Sequence, residues 1–178
     1  MFSVKLHTPA LVRCVGCGGL VSSIDGPTHR YMESSPGCWA IYGEVLAREY
    51  SDPAFAAVHR QTVDAYAVQH PGQPSKQSIR SVDIHLVRLC LMLERGFNDE
   101  AALMATSVIV SGKDGFHWLT PPPSMGTITA VDVWRTNSAE EHLQAVREWA
   151  RSAWHAWAQH HEQIRRWVPA QFSGVQGS

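Results

Sequence analysis

Three cysteines crowd the start of the chain: Cys14-Val-Gly-Cys17-Gly-Gly, then Cys38 in Ser35-Pro-Gly-Cys38-Trp39. A two-residue gap lets both thiolates of a Cys-x-x-Cys turn face one cation, and the glycines after it let backbone N–H groups turn back toward the sulfurs. Cys38 returns as a third sulfur, and His29, on the loop Gly26-Pro-Thr-His29, is the most economical source of a fourth ligand. The pattern therefore predicts a tetrahedral zinc held by Cys14, Cys17, His29 and Cys38. Redox chemistry at the Cys14/Cys17 pair and an incidental turn are the competing readings. Such a site fixes a local structure without fixing a reaction.

A chain of 178 residues suits one domain and is long enough to bury about two-thirds of its unfolded surface without disulfides. A metal would therefore organise one region rather than rescue the whole fold. With 15 basic against 16 acidic residues and no Lys/Arg run, nucleic acid is a poor partner. The start, Met1-Phe-Ser-Val-Lys-Leu-His-Thr-Pro, lacks the apolar run of a secretory signal, and no apolar segment approaches the roughly 20 residues of a membrane span. The expectation is a cytoplasmic protein with no membrane partner. In that compartment Cys-x-x-Cys is more often a metal or redox pair than a disulfide.

Residues 1–37 carry Gly, Pro, Ser and Thr at short intervals without a helical period, and read as an irregular metal-held knuckle with room for a short hairpin. From Cys38 the period changes. Trp39, Tyr42, Val45, Leu46 and Glu49 predict a helix ending near Tyr50, with Cys38 in its first turn, where the positive end of the helix dipole favours a thiolate. Asp52-Pro53 predicts a second helix running to His70, stopped by Pro71-Gly72. Ser75 caps a third, with Ile79, Val82, Leu86, Leu89 and Leu93 inward, His85 beside them, Cys90 as a small buried hydrophobe and Gly96 as the stop. Asn98 opens a fourth through about Val110. A long irregular stretch through Trp118 and three prolines reads as a functional cover. Thr129 caps a short turn over 130–134, and the Ser138-Ala-Glu-Glu141 capping box opens a last helix to about Val168. Its inner stripe is Val146, Trp149, Ala153, Trp157, His160 or His161, and Ile164, and residues 169–178 read as a frayed tail.

Of the ten histidines, His59 and His70 share a helix face but stand roughly 16 Å apart, too far for one metal. His142 reads as solvated. His70, at a helix end beside Pro-Gly, reads as facing a cleft, with His85 and Asp64 as further candidates for proton transfer. His160-His161-Glu162 resembles the last helix of the DinB-like bundle enzymes, where a His-x-x-x-His pair supplies two nitrogens to one metal. Here the positions four residues earlier are Ala156 and Trp157, so the second nitrogen is missing. The zinc-deaminase pattern, a Gly-x-Ser-x-Gly elbow, a phosphate-binding loop and a dinucleotide fingerprint are all absent.

The blocks Gly26-Pro-Thr-His29-Arg-Tyr-Met-Glu-Ser-Ser-Pro-Gly-Cys38-Trp39 and Val63-Asp64-Ala-Tyr66-Ala-Val-Gln69-His70-Pro71-Gly72 resemble an uncharacterised bacterial family of single-domain proteins. The resemblance runs on through Gln77 to Leu86 and Trp118 to the closing His160-His161 segment. It implies that knuckle, His70-Pro71 and last helix form one unit, and it implies no reaction.

The sequence thus predicts a mainly α fold: about five helices in a bundle over 38–168, with an N-terminal zinc knuckle. Its first functional reading is a metal-dependent enzyme, a hydrolase or lyase acting on a small molecule, with His70, His85 and Asp64 catalytic. The alternative is a zinc-stabilised binding module with an aromatic-rich surface near Trp118 and Trp157. Four protein ligands on the metal would favour the second.

Overall fold

The computed structural model describes residues 10–111 and 115–172. The chain is mainly α, with eight helices and one two-stranded hairpin among those residues. In the knuckle, β1 (Leu11–Arg13) pairs antiparallel with β2 (Leu20–Ser22), Val12 opposite Val21. The helices are α1 (Pro36–Ser51), α2 (Pro53–Ala56), α3 (His59–Gln69), α4 (Lys76–Arg95), α5 (Asp99–Ser111), α6 (Ala130–Trp134), α7 (Ala139–Ala156) and α8 (His161–Trp167).

Local chemistry sets most of the boundaries. Asp52 accepts from the Ala54 N–H at 2.9 Å, and Ser75 accepts from the Ser78 N–H at 3.1 Å. Gly96 closes α4 at φ 70°, a left-handed value that suits glycine. Thr129 and Asp132 form a reciprocal capping box at α6. At α7 the box is displaced by one residue: Ser138 accepts from the Glu141 N–H, but the Glu141 carboxylate takes the Asn137 N–H at 2.9 Å.

Two expected helices are broken. The segment from Pro53 to His70 divides at Ala57–Val58, and the last helix divides after Ala156, where a 3-10 turn (Ala158–His160) precedes α8. Neither break carries a Gly, Pro or Asx residue, so both are tertiary in origin. At the first, Val58 is buried and the His59 ring and Thr62 hydroxyl both close on Glu49. At the second, Trp157 is fully buried and its indole N–H donates to the Val68 carbonyl at 3.1 Å, while His161 stacks on Trp154 at 3.8 Å. Trp157 is therefore core and not part of an aromatic surface, and Trp118 is half-buried.

The central helix is α3, which packs against α4 and α7 and is buried continuously from Asp64 to Gln69. Around it lie Tyr66, Leu86, Leu89, Trp149, Trp157 and Ile164, all fully buried, and Cys90 is the small buried hydrophobe its neighbours imply. Gln69 is satisfied on every side: its amide donates to the Met125 and Ile128 carbonyls at 2.7 and 2.8 Å, and its oxygen accepts the Trp149 indole N–H at 2.8 Å. That residue fastens the proline-rich stretch to the core. His142 is not solvated: it is fully buried, with Nε2 3.0 Å from Glu49. No helix among the described residues is long and apolar enough to cross a membrane. The frayed end expected at 169–178 falls largely outside the described residues, which close on a 3-10 turn at Ala170–Phe172.

Candidate metal centre

The hairpin brings Cys14 and Cys17 to the base of the knuckle, α1 brings Cys38 in its first turn, and the end of α3 brings His70. Their ligand atoms all lie within 4.8 Å of one another, and all four residues are buried. Nε2 of His70 stands 3.5 Å from the Sγ of Cys14 and 3.5 Å from that of Cys38, and the Cys17 and Cys38 sulfurs are 3.8 Å apart. Metal–sulfur bonds of about 2.3 Å and a metal–nitrogen bond of about 2.05 Å give tetrahedral edges of about 3.8 Å (S–S) and about 3.5 Å (S–N). The cluster has the dimensions of a four-coordinate zinc site.

Each ligand is oriented by its surroundings. The His70 Nδ1–H donates to the Tyr66 carbonyl one turn back at 2.7 Å, which leaves Nε2 as the nitrogen that faces the sulfurs. The Gly19 N–H points at Cys17 Sγ and the Ser35 N–H at Cys14 Sγ, both at 3.4 Å, and the Tyr66 hydroxyl points at Cys38 Sγ at 3.8 Å. Ser35, at the N-cap of α1, uses its hydroxyl to accept the Val15 N–H at 3.1 Å, tying the Cys-x-x-Cys turn to the helix that carries Cys38. Two glycines permit the approach. A Cβ on Gly16 would stand 2.5 Å from the His70 ring and 2.3 Å from the Glu33 carbonyl, and one on Gly37 would stand 2.2 Å from the Ser22 carbonyl.

The electrostatics call for a cation. Hydrogen bonds from Cys17 and Cys38 push the Cys14 thiol well below its usual range, while the contacts with Cys14 and Cys17, and then burial, push Cys38 well above its own. Three sulfurs this close do not all ionise without a positive charge between them. Burial opposes the His70 imidazolium, but the sulfurs of Cys14 and Cys17 outweigh it and carry the ring up to about 9. A metal held by these four residues would replace that proton and neutralise the thiolates. The cysteines are all free thiols, so the arrangement is one of convergent ligands and not a disulfide.

The fourth member of the cluster is thus His70, where the spacing of the sequence pointed to His29. The His29 ring packs edge-on against Tyr31 and tilted against Trp39, and burial lowers its basicity. His70, read as a proton-transfer residue, is enclosed among sulfurs. The other two catalytic candidates do meet: His85 Nδ1 lies 2.6 Å from Asp64 Oδ1, which also takes the Arg88 Nε–H at 2.8 Å. A residue that the sequence reading passed over as a functional one is Glu49. Fully buried, it gathers His59 Nδ1 at 2.8 Å, the Thr62 hydroxyl at 2.5 Å and His142 Nε2 at 3.0 Å. The signal was its place in the apolar stripe of α1, since a carboxylate on a buried face needs partners.

A family model matches residues 12–158, more than half of the chain. The chain belongs to DUF5946, a family of unknown function. The DUF5946 match spans all four cluster residues, Glu49 with its partners and the Asp64–His85–Arg88 group, and ends before His160. No curated protein and no solved structure matches the chain.

Proposed function

We propose that the chain is a zinc-stabilised helical module, in which Cys14, Cys17, Cys38 and His70 hold one Zn²⁺ in a closed structural site. The observation that carries this reading is the set of four mutually close ligand atoms on four buried residues. A catalytic zinc keeps one position for water or substrate, and four protein ligands take every position of a tetrahedral ion. Four cavities of the molecule are lined by residues other than these four ligands. Bound by Cys14, Cys17, Cys38 and His70, zinc supplies charge neutralisation and a cross-link between β1–β2, α1 and α3. The reading treats the described chain as one domain, because a single hydrophobic cluster runs from Cys14 to Val168. Of the two readings open at the sequence level, the binding module is therefore preferred to an enzyme working through this metal.

The test is elemental analysis of protein purified without added chelator, beside its Cys17→Ser variant. The wild type should carry one zinc per chain and the variant much less, with a Tm lower by several degrees, because binding to a site absent from the unfolded chain is folding free energy. A Cys17→Ser protein that keeps a full equivalent of zinc contradicts the proposal.

A further inference from the structure

Between the start of α4 and the loop that follows the hairpin lies a cavity of about 300 Å³, walled by Tyr31, Gln77, Arg80, Ser81, Ile84 and His85. No carboxylate is among these residues. Arg80 is exposed, and its guanidinium makes no hydrogen bond or ion pair among the described residues. Ser81 is buried, and its hydroxyl oxygen has no hydrogen-bond partner there.

His85 is held from behind. Its Nδ1 faces the fully buried Asp64 at 2.6 Å and lies 2.5 Å from Arg88 Nη2, which binds the same carboxylate oxygen. Arg88 offsets the Asp64 charge, so the cavity does not face an uncompensated carboxylate. Three arrangements suit the ring: Nδ1–H donates to Asp64 from a neutral ring or from an imidazolium, or Nδ1 of the other neutral tautomer accepts from Arg88. Nε2 lies on the side of the ring away from Asp64, and it carries a proton in the imidazolium and in the tautomer whose Nδ1 accepts from Arg88. One wall thus combines a permanent cation with an imidazole Nε2 that donates in two of the three ring states.

We propose that this cavity binds a small oxyanion, the carboxylate or phosphate group of a low-molecular-weight ligand, through the Arg80 guanidinium and His85 Nε2, the bound anion favouring the ring states in which Nε2 carries a proton. An oxyanion accepts from several donors at once and favours a guanidinium, and 300 Å³ lies at the small end of ligand pockets. The far wall is set by the knuckle. The Ser78 hydroxyl donates to the Tyr31 carbonyl at 3.3 Å, and Gly72, at φ 69°, leaves no room for a Cβ against that same carbonyl. The inference does not depend on zinc chemistry.

Calorimetric titration of the zinc-loaded protein with inorganic phosphate, and separately with acetate, at constant ionic strength in chloride, tests it. Expected is saturable binding of at least one of the two, weakened tenfold or more in Arg80→Ala, together with a shift of the His85 Nε2 resonance in nitrogen NMR. Arg80 is a surface residue, so its variant keeps the fold. The phosphate and acetate arms separate the two ligand sources. Absence of saturable binding in both arms, or binding unchanged in Arg80→Ala with the His85 signal unmoved, overturns the proposal. Loss of zinc with Arg80-dependent binding retained would count against the zinc centre alone.

Discussion

At the scale of the residue, the nitrogen of the cluster shows what spacing carries and what it does not. Cys14, Cys17 and Cys38 were legible because thiolates within one short segment need no tertiary knowledge to be brought together. His70 was not, because it lies 56 residues from Cys14 and reaches it only through the packing of α3 against the hairpin. The local hint was Gly16, whose missing side chain leaves space for the His70 ring. His70→Ala should therefore lower zinc affinity more than about a hundredfold, beyond the range of an outer-sphere loss. His29→Ala should leave zinc content unchanged, and metal analysis of the two variants decides between the nitrogens. A second residue-scale prediction concerns Asp83. It is buried, neither oxygen has a hydrogen-bond partner among the described residues, and burial, offset only in part by the His117 backbone, raises its carboxyl to about 8. The folded state thus holds this proton where the unfolded chain, at about 3.9, has released it. Stability should fall as pH rises from about 4 to about 8, by up to about 1.4 kcal/mol per unit. Asp83→Asn should flatten that slope and stabilise the protein at pH 7.5, as read by urea denaturation across the range; an unchanged slope would contradict the assignment.

At the scale of the element, caps were legible and breaks were not. Asp52, Ser75, Thr129 and Ser138 each announce a helix through a side chain that satisfies an orphan N–H, which is a local event. The interruptions at Val58 and Trp157 are set by distant partners, Glu49 on α1 and the Val68 carbonyl on α3, so no nearby residue records them. Glu49 is the element-scale joint, linking α1 to α3 through His59 and Thr62 and to α7 through His142. Glu49→Ala leaves those groups buried and unpaired and should cost about 3 to 5 kcal/mol. Chemical denaturation should show that loss with zinc content intact, since the joint and the metal cluster share no residue. Loss of zinc in this variant would mean the two are one unit.

At the scale of the whole molecule, the hydrophobic core around α3 is built largely from helix stripes that the sequence displays, and the proposed zinc has a narrower task. It would clamp a hairpin with four exposed apolar residues, Leu11, Val12, Val15 and Leu20, onto the ends of α1 and α3. Chelation should accordingly lower Tm while keeping most of the helical signal, with each kcal/mol lost shifting Tm by about 2 to 4 °C at this chain length. A protein that unfolds wholly on chelation would show that the metal holds the core as well. The central claim, a closed Cys3His zinc centre, is met most directly by X-ray absorption at the zinc edge of the purified protein. The account predicts a first shell of three sulfurs at about 2.3 Å and one nitrogen at about 2.05 Å. A shell containing a water oxygen, or fewer than three sulfurs, would contradict it.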